Sequence, residues 1–310
     1  MNWLVLVAIA VFTDALRIFI DNYISDVYFK GRDAASQKLF YGYACLFIAA
    51  ILALVFHLNL SSISIYIPLL LFFSGCLTSL SGIPYYKALE IDDSTNISIF
   101  VQLAPIFYLI LGWFFLGETF STKQLIGFII ILAAPLLIIL TTRRRSRKIK
   151  LRAALLAALY VLIAVVANLI FVKTSDFPGT TFSFLENIIF IYLGKGLANL
   201  VIVAVRPKWR KRFKTVFKNS HRRVLVPLIS NSVVGFIKDI SYRGALTIAP
   251  AVALASVASD STLPIVIFFL GIILTLIWPR FGREKLDKKS VFVHLLATIL
   301  VVTGIIILQI

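Results

Sequence analysis

The sequence predicts an all-α integral membrane protein of about ten transmembrane helices, arranged as two inverted five-helix repeats. Three observations carry that prediction. First, 60% of the 310 residues are hydrophobic and only 15% charged, with a mean hydropathy of +0.97; soluble domains hold about 45–50% apolar and about 25% charged residues. Second, ten apolar segments each approach the roughly 20 residues that a helix needs to cross the hydrocarbon core. Third, Lys and Arg gather on one side of those segments.

The expected spans are, in order, residues 2–20, 39–57, 65–88, 97–116, 123–141, 151–171, 182–205, 224–248, 252–277 and 290–309. The opening MNWLVLVAIAVF lacks a basic leader region and reads as a retained first span. Most of the 31 Lys and Arg residues fall in or beside the loops after the odd-numbered spans, while the opposite loops hold only Lys123 and Lys173. The odd-numbered loops are therefore expected to be cytoplasmic and both termini extracytoplasmic. The formal net charge of +17 is concentrated in two such loops, Arg143 to Arg152 and Arg206 to Arg223. That placement fits an anionic inner leaflet rather than nucleic acid. Trp209, Phe213 and Phe217 recur every fourth residue in the second block, the spacing of a short helix lying on the membrane surface. Compact loops without targeting extensions point to a prokaryotic plasma membrane. Cys45 and Cys76 lie inside apolar runs as packing residues, and His57, His221 and His294 are too scattered for a metal site. With no glycine-rich phosphate loop, no cofactor is expected and transport would be facilitated or ion-coupled. The oligomeric state is not encoded in any pattern, and a monomer is compatible with all of them.

Dividing the chain at its first basic block gives residues 1–142 as one repeat, 143–150 as a cytoplasmic linker and 151–310 as the second repeat. YYKAL (Tyr85 to Leu89) is echoed by YRGAL (Tyr242 to Leu246), Pro105 by Pro264, and Glu118 by Glu284. Five spans is an odd number, so two copies insert with opposite orientation, the architecture of many secondary transporters. Pro105 is expected to bend the fourth span, as a packing kink or a gating hinge, with Pro264 as its counterpart. Gly112 and Gly117 are expected to let another helix approach, and Glu118 to close the span at the outer interface.

The stretch from Tyr85 to Pro135 resembles the second half of an EamA domain, the repeat unit of the drug/metabolite transporter superfamily. The features that carry the resemblance are Tyr86-Lys87-Ala88-Leu89, Pro105, Leu116-Gly117-Glu118 and Gln124-Leu125-Ile126-Gly127. Gly244-Ala245-Leu246, Pro264, Glu284 and Gly304 keep part of the pattern in the second half. The resemblance implies a ten-helix transporter of small metabolites.

Ionisable groups at membrane depth cost about 2.5–3.5 kcal/mol each on insertion scales, so each needs a partner or a role. The expected spans contain Asp14, Arg17, Glu186, Lys195, Lys238, Asp239, Arg243 and Asp260. Asp14 with Arg17 and Asp239 with Arg243 have the spacing of intrahelical pairs. Lys195, between Gly194 and Gly196, has no acid within a turn, and the small neighbours leave room around its ammonium; for Lys195 and Lys238 alike, pairing with Asp14 or Asp260 from another helix is the alternative to contact with a substrate. Lys195 and Lys238 are candidates for contact with an anionic group of a substrate. Asp14, Asp239, Asn168, Gln102, Tyr86 and Tyr242 complete the candidate substrate-binding set, and Pro105 and Pro264 are the candidate gating residues. Asp14, Glu186, Asp239 and Asp260 are candidate proton carriers.

These features point first to a secondary transporter that moves a small metabolite by alternating access through a central cavity. A flippase of a lipid-linked substrate is the alternative. A membrane-embedded enzyme would need convergent catalytic groups near one interface, and His57 and His294 fall at opposite faces.

Overall fold

The computed structural model describes residues 2–28, 34–56, 65–91, 97, 100–142, 150–175, 183–205, 225–277 and 288–309. Among them are ten α-helices and no strand: α1 (Trp3–Tyr28), α2 (Ala34–Val55), α3 (Tyr66–Ile91), α4 (Ala104–Leu116), α5 (Thr122–Thr142), α6 (Leu151–Ser175), α7 (Phe184–Ala204), α8 (Leu225–Ile248), α9 (Val252–Ile277) and α10 (Lys288–Gln309). Seven are long and apolar enough to cross a membrane, namely α1, α3, α5, α6, α7, α9 and α10. Shorter apolar stretches occupy α2 and α4. The remaining helix, α8, carries Lys238, Asp239 and Arg243. The chain is an all-α multi-pass membrane protein. The linker at 143–149, the basic block at 206–223 and Glu284 lie outside the described residues.

Two expected spans change at their ends. The first was expected to stop at residue 20, but α1 continues to Tyr28 and so includes Asp21. The fourth was expected as one helix over 97–116. Instead α4 begins at Ala104, after a turn at Gln102-Leu103 in which the Leu103 N–H bonds the Phe100 carbonyl (3.1 Å). Pro105 therefore sits in the first turn of α4, where a missing N–H leaves no carbonyl unserved, and does not bend a continuous helix. With 13 residues, α4 is about 20 Å long, shorter than the hydrocarbon core. The interior prolines are Pro84 in α3, Pro135 in α5 and Pro264 in α9. Pro264 has no N–H to offer the Asp260 carbonyl, four residues back.

The glycines at the end of α4 also differ from expectation. Gly117 is the helix C-cap in the left-handed conformation (φ 70°), with its N–H returned to the Gly112 carbonyl. Gly112 makes room for a side chain rather than a neighbouring helix: a methyl there would overlap Oε2 of Glu118.

The chain divides into two compact units. One comprises Met1–Leu16, Ser81–Val165 and Ser241–Ile310; the other Arg17–Leu80 and Val166–Ile240. In the first unit α5 lies along α10, and α9 packs on α4, α5 and α10. A Cβ on Gly127 would stand 2.9 Å from the Gly304 carbonyl oxygen, so these two backbones meet directly. Ala88 of α3 and Ala153 and Ala157 of α6 form a small buried cluster with Ile97. The Lys150 ammonium donates to the Ile91 carbonyl (2.7 Å), a cation at the C-terminus of α3.

In the second unit α2 lies along α7. Added methyls on Gly75 and Gly194 would overlap the Ile191 and Phe72 carbonyls, so α3 and α7 also touch backbone to backbone. The start of α7 is fixed by a capping box: the Ser183 hydroxyl accepts from the Glu186 N–H, and Glu186 accepts from the Ser183 N–H (2.6 Å). Glu186, expected as an ionisable group at depth, is thus a helix cap at a span end.

Candidate functional site

In the second unit, α1, α7 and α8 carry ionisable side chains that meet one another. Lys195, near the middle of α7 and only 2% exposed, donates from its ammonium to Oδ2 of Asp239 on α8. The Tyr192 hydroxyl donates to the same oxygen (3.1 Å), and its ring lies 5.0 Å from the Lys195 ammonium. Phe236 packs edge-on against that ring (centroids 5.4 Å apart). One turn of α7 thus supplies two partners of a largely buried carboxylate, which needs paired and hydrogen-bonded company at this depth. The Ser79 hydroxyl ties the Lys195 carbonyl to α3 (3.0 Å).

Beside this pair, Arg17 reaches Asp21 one turn further along α1 (3.7 Å), and Asp21 accepts from the Asn231 amide of α8 (2.7 Å). The Arg17 guanidinium lies 5.7 Å from the centre of the Tyr41 ring. Tyr41 and Cys45 of α2 hydrogen-bond each other within electrostatic reach of Asp239 and Arg17. Asn231, Gly235 and Asp239 recur every fourth residue, so one face of α8 serves both groups. A methyl on Gly235 would be 3.6 Å from Arg17, an ordinary contact.

The first unit gathers tyrosines and carboxylates. Tyr85 stacks at a tilt on Tyr160 (4.9 Å) and meets Tyr86 edge-on (5.7 Å). The Tyr242 hydroxyl donates to that of Tyr108 (3.4 Å) and also meets the Ser256 hydroxyl, which donates to Oδ2 of Asp260 (2.9 Å). A polar chain therefore runs from α4 through α8 to α9. Asp14 and Asp260 both stand within electrostatic reach of the Tyr160 hydroxyl. Tyr160 and Tyr242 are half-buried.

The candidate residues thus fall into two groups. Lys195, Asp239, Lys238 and Asn168 belong to the second unit, and Asp14, Gln102, Tyr86 and Tyr242 to the first. Lys195 pairs with Asp239, an acid that helical spacing did not single out for it. Gly194 and Gly196 do not make room for its ammonium; they admit the α3 backbone and Leu46 of α2. Lys238 and Asn168 are half-buried, and Oε1 of Gln102 is buried with no hydrogen-bond partner among the described residues. Asp21, Tyr41, Tyr160 and Tyr192 were missed. Asp21 fell beyond an underestimated helix end, and mid-span tyrosines look like ordinary apolar filling until their hydroxyls find partners. Both cysteines are free, as expected. No cluster with metal-binding composition occurs among the described residues.

The tyrosine span end, Pro105 and the Gly117-Glu118 corner form one continuous stretch of the first unit. Residues 3–141 match the EamA-like transporter family. That family is one of membrane transporters, and the match bears out the resemblance read from the sequence. No curated protein matches the chain. A solved structure titled only "Crystal structure of protein" aligns with 98% of this chain and 94% of its own at TM-score 0.69 and 13% identity, a likeness of fold.

Within the EamA-like segment, Glu118 has a defined task. Its Oε1 accepts from the N–H of Val252, the first residue of α9 (2.7 Å). Expected to close a span at the interface, the carboxylate instead folds back over Gly112 and caps another helix, where an acid also meets the positive end of the helix dipole. Burial pushes its carboxyl above the ordinary carboxylate range, and the Val252 hydrogen bond draws it partly back.

Proposed function

We propose that the protein is a secondary transporter that moves a small metabolite by alternating access, opening a central cavity in turn to each side of the membrane. Residues 1–142 and 151–310 would be its inverted repeats, with both termini extracytoplasmic and the membrane that of a prokaryotic cell. The observation that carries the reading is the gathering of ionisable and tyrosine side chains near the middle of apolar helices, in a chain whose first half matches a transporter family. The pairing of α2 with α7 and of α5 with α10 supports the repeat, since each helix packs on the one five places later.

In this reading Lys195, Lys238, Asp239 and Asn168, and separately Asp14, Gln102, Tyr86 and Tyr242, meet the substrate on its path. Pro105 and Pro264 mark the segments that move: the first beside the turn that interrupts the fourth span, the second beside a carbonyl it cannot serve. The test is saturable uptake by protein reconstituted in liposomes, measured with labelled amino acids, nucleosides, sugars, organic phosphates and quaternary amines. Accumulation of one class above empty liposomes supports transport; accumulation of none refutes it.

A further inference from the structure

We propose that Glu118 is a proton-binding site, and that its proton decides whether the start of α9 stays docked on the corner between α4 and α5. The inference deepens the transporter reading and rests on it for what the docking does, since α4 and α9 carry the two prolines assigned to moving segments. All the groups involved lie in the first unit. Ala251 and Pro250, which lead into α9, carry no side-chain oxygen that could cap it. The Ala251 carbonyl accepts from the N–H groups of Leu254 (3.1 Å) and Ala255 (3.4 Å), and the Val252 N–H must find its acceptor elsewhere. It finds Oε1 of Glu118 (2.7 Å).

Two glycines shape the place this carboxyl occupies. Gly117, at φ 70°, turns the chain back at the end of α4, and the missing side chain of Gly112 leaves the space that Oε2 fills. Oε2 is buried there with no hydrogen-bond partner among the described residues. An ionised carboxylate spreads its charge over both oxygens, and here one of the two is served. Charge on a buried, unserved oxygen is far less favourable than a neutral hydroxyl in the same place. The docked corner therefore suits the protonated acid, in which Oε1 still accepts from Val252 while Oε2 carries the proton. Moving α9 away lets water reach both oxygens, and the acid then ionises at its ordinary value.

The charges of the surrounding helices leave this balance alone. α9 packs on α4, α5 and α10. On α4 the preceding ionisable group is Tyr108, ten residues back, and on α5 the first is Lys123, which is exposed. α10 brings Gly304 and Leu308 to Gly127 near the start of α5. The last ionisable groups of α8 are Tyr242 and Arg243, and the first of α9 is Asp260, eight residues or about 12 Å beyond Val252. Burial raises the Glu118 carboxyl above the ordinary range and the Val252 hydrogen bond draws it partly back; among the described residues no charge takes part. The docked form thus binds the proton more tightly than the water-exposed form, so docking is favoured at low pH and lost as pH rises through the raised value. In the proposed orientation the corner exchanges its proton with the extracytoplasmic side.

The full-length chain in lipid nanodiscs is followed by pulsed amide hydrogen exchange over residues 249–254, with pulse lengths scaled to the intrinsic rate at each pH. Between about pH 4.5 and about pH 8 the wild type should lose protection there by about tenfold or more, the ratio that one unit of pKa difference produces. Residues 127–131, where α5 meets α10, should keep theirs. Glu118→Gln keeps an acceptor oxygen at the same reach and has no proton to lose, so its protection should stay high and flat across the range. Infrared difference spectra over the same titration give a second reading: the wild type should show a protonated-carboxyl component that fades as pH rises and is absent from Glu118→Gln. Wild-type protection that is flat or rises with pH overturns the proposal. So does an equal fall in Glu118→Gln, or an infrared component that the substitution leaves in place. A chain with pH-dependent docking that accumulates no solute in liposomes keeps the proton site and loses the transporter reading; uptake with docking indifferent to pH does the reverse.

Discussion

Replacing Lys195 with methionine isolates the energetics of the buried pair. The Lys195 side chain is 3% exposed and that of Asp239 13%, so neither charge is relieved by water. Met keeps the length and volume but takes the ammonium away from the Asp239 carboxylate, which also accepts from the neutral Tyr192 hydroxyl. Stranding one partner of a buried pair costs about 3–5 kcal/mol, whereas replacing both partners with apolar groups of similar volume is close to neutral. Lys195→Met should therefore lose about 3–5 kcal/mol, and Lys195→Met with Asp239→Leu should regain most of it. Tyr192→Phe, which keeps the ring over the ammonium, should cost about 0.6 kcal/mol and no more than about 1.7, the range for interhelical hydrogen bonds in membranes. The assay is equilibrium unfolding in mixed detergent micelles, read by tryptophan fluorescence. Losses that simply add in the double variant would show that the two charges do not sustain each other, and the geometry would have been misjudged.

The Glu118 cap yields a pH prediction. Because burial raises its folded pKa, the folded state holds the proton more tightly than the unfolded one. Its contribution to stability is then fully present below the ordinary carboxylate pKa and is lost as pH rises through the raised value. Glu118→Gln should flatten that part of a stability-against-pH profile, and Glu118→Ala should cost about 1 kcal/mol as a lost cap. Gly112→Ala should displace the carboxylate, and its cost should shrink when Glu118 is already Ala; a double-variant unfolding cycle tests this. Gly194→Ala should destabilise by about 1–3 kcal/mol because a carbonyl blocks the methyl, while Gly235→Ala should be neutral or slightly stabilising in the same melts. A reporter fused after Ile310 should report an extracytoplasmic location and one inserted near Arg147 a cytoplasmic one; a cytoplasmic C-terminus would reverse the orientation.

What the sequence made legible was the part governed by solvent transfer. Hydropathy and length located ten helices because the bilayer dictates both, and α8 could be found in spite of its three charges because the apolar residues around them still form a span-length segment. Local chemistry was read less well. Pro105 looks like a kink in a string of apolar residues; only the turn at Gln102-Leu103 reveals it as the start of a helix. Gly112 and Gly194 are both small residues in apolar helices, yet one accommodates a carboxylate and the other a foreign carbonyl. Pairings between distant segments were the least legible. Asp239 has an arginine one turn away in sequence, and its ammonium partner is a lysine 44 residues earlier. Helical spacing describes neighbours on one helix, while the low dielectric rewards whichever charge the packing brings near.

The contact of α3 with α7 at Gly75 and Gly194 has a mechanical consequence. Where side chains separate two helices, rotamers can yield and the helices can slide. Here each glycine is a notch that receives the other helix's carbonyl, and every neighbouring position carries a side chain. A slip of one residue, about 1.5 Å, would take the notch away from its carbonyl and drive a Cβ into it. The two helices are therefore keyed in register. Any rearrangement that involves them carries both together and brings Lys195, whose carbonyl is pinned to the same stretch of α3 by Ser79, along as fixed cargo.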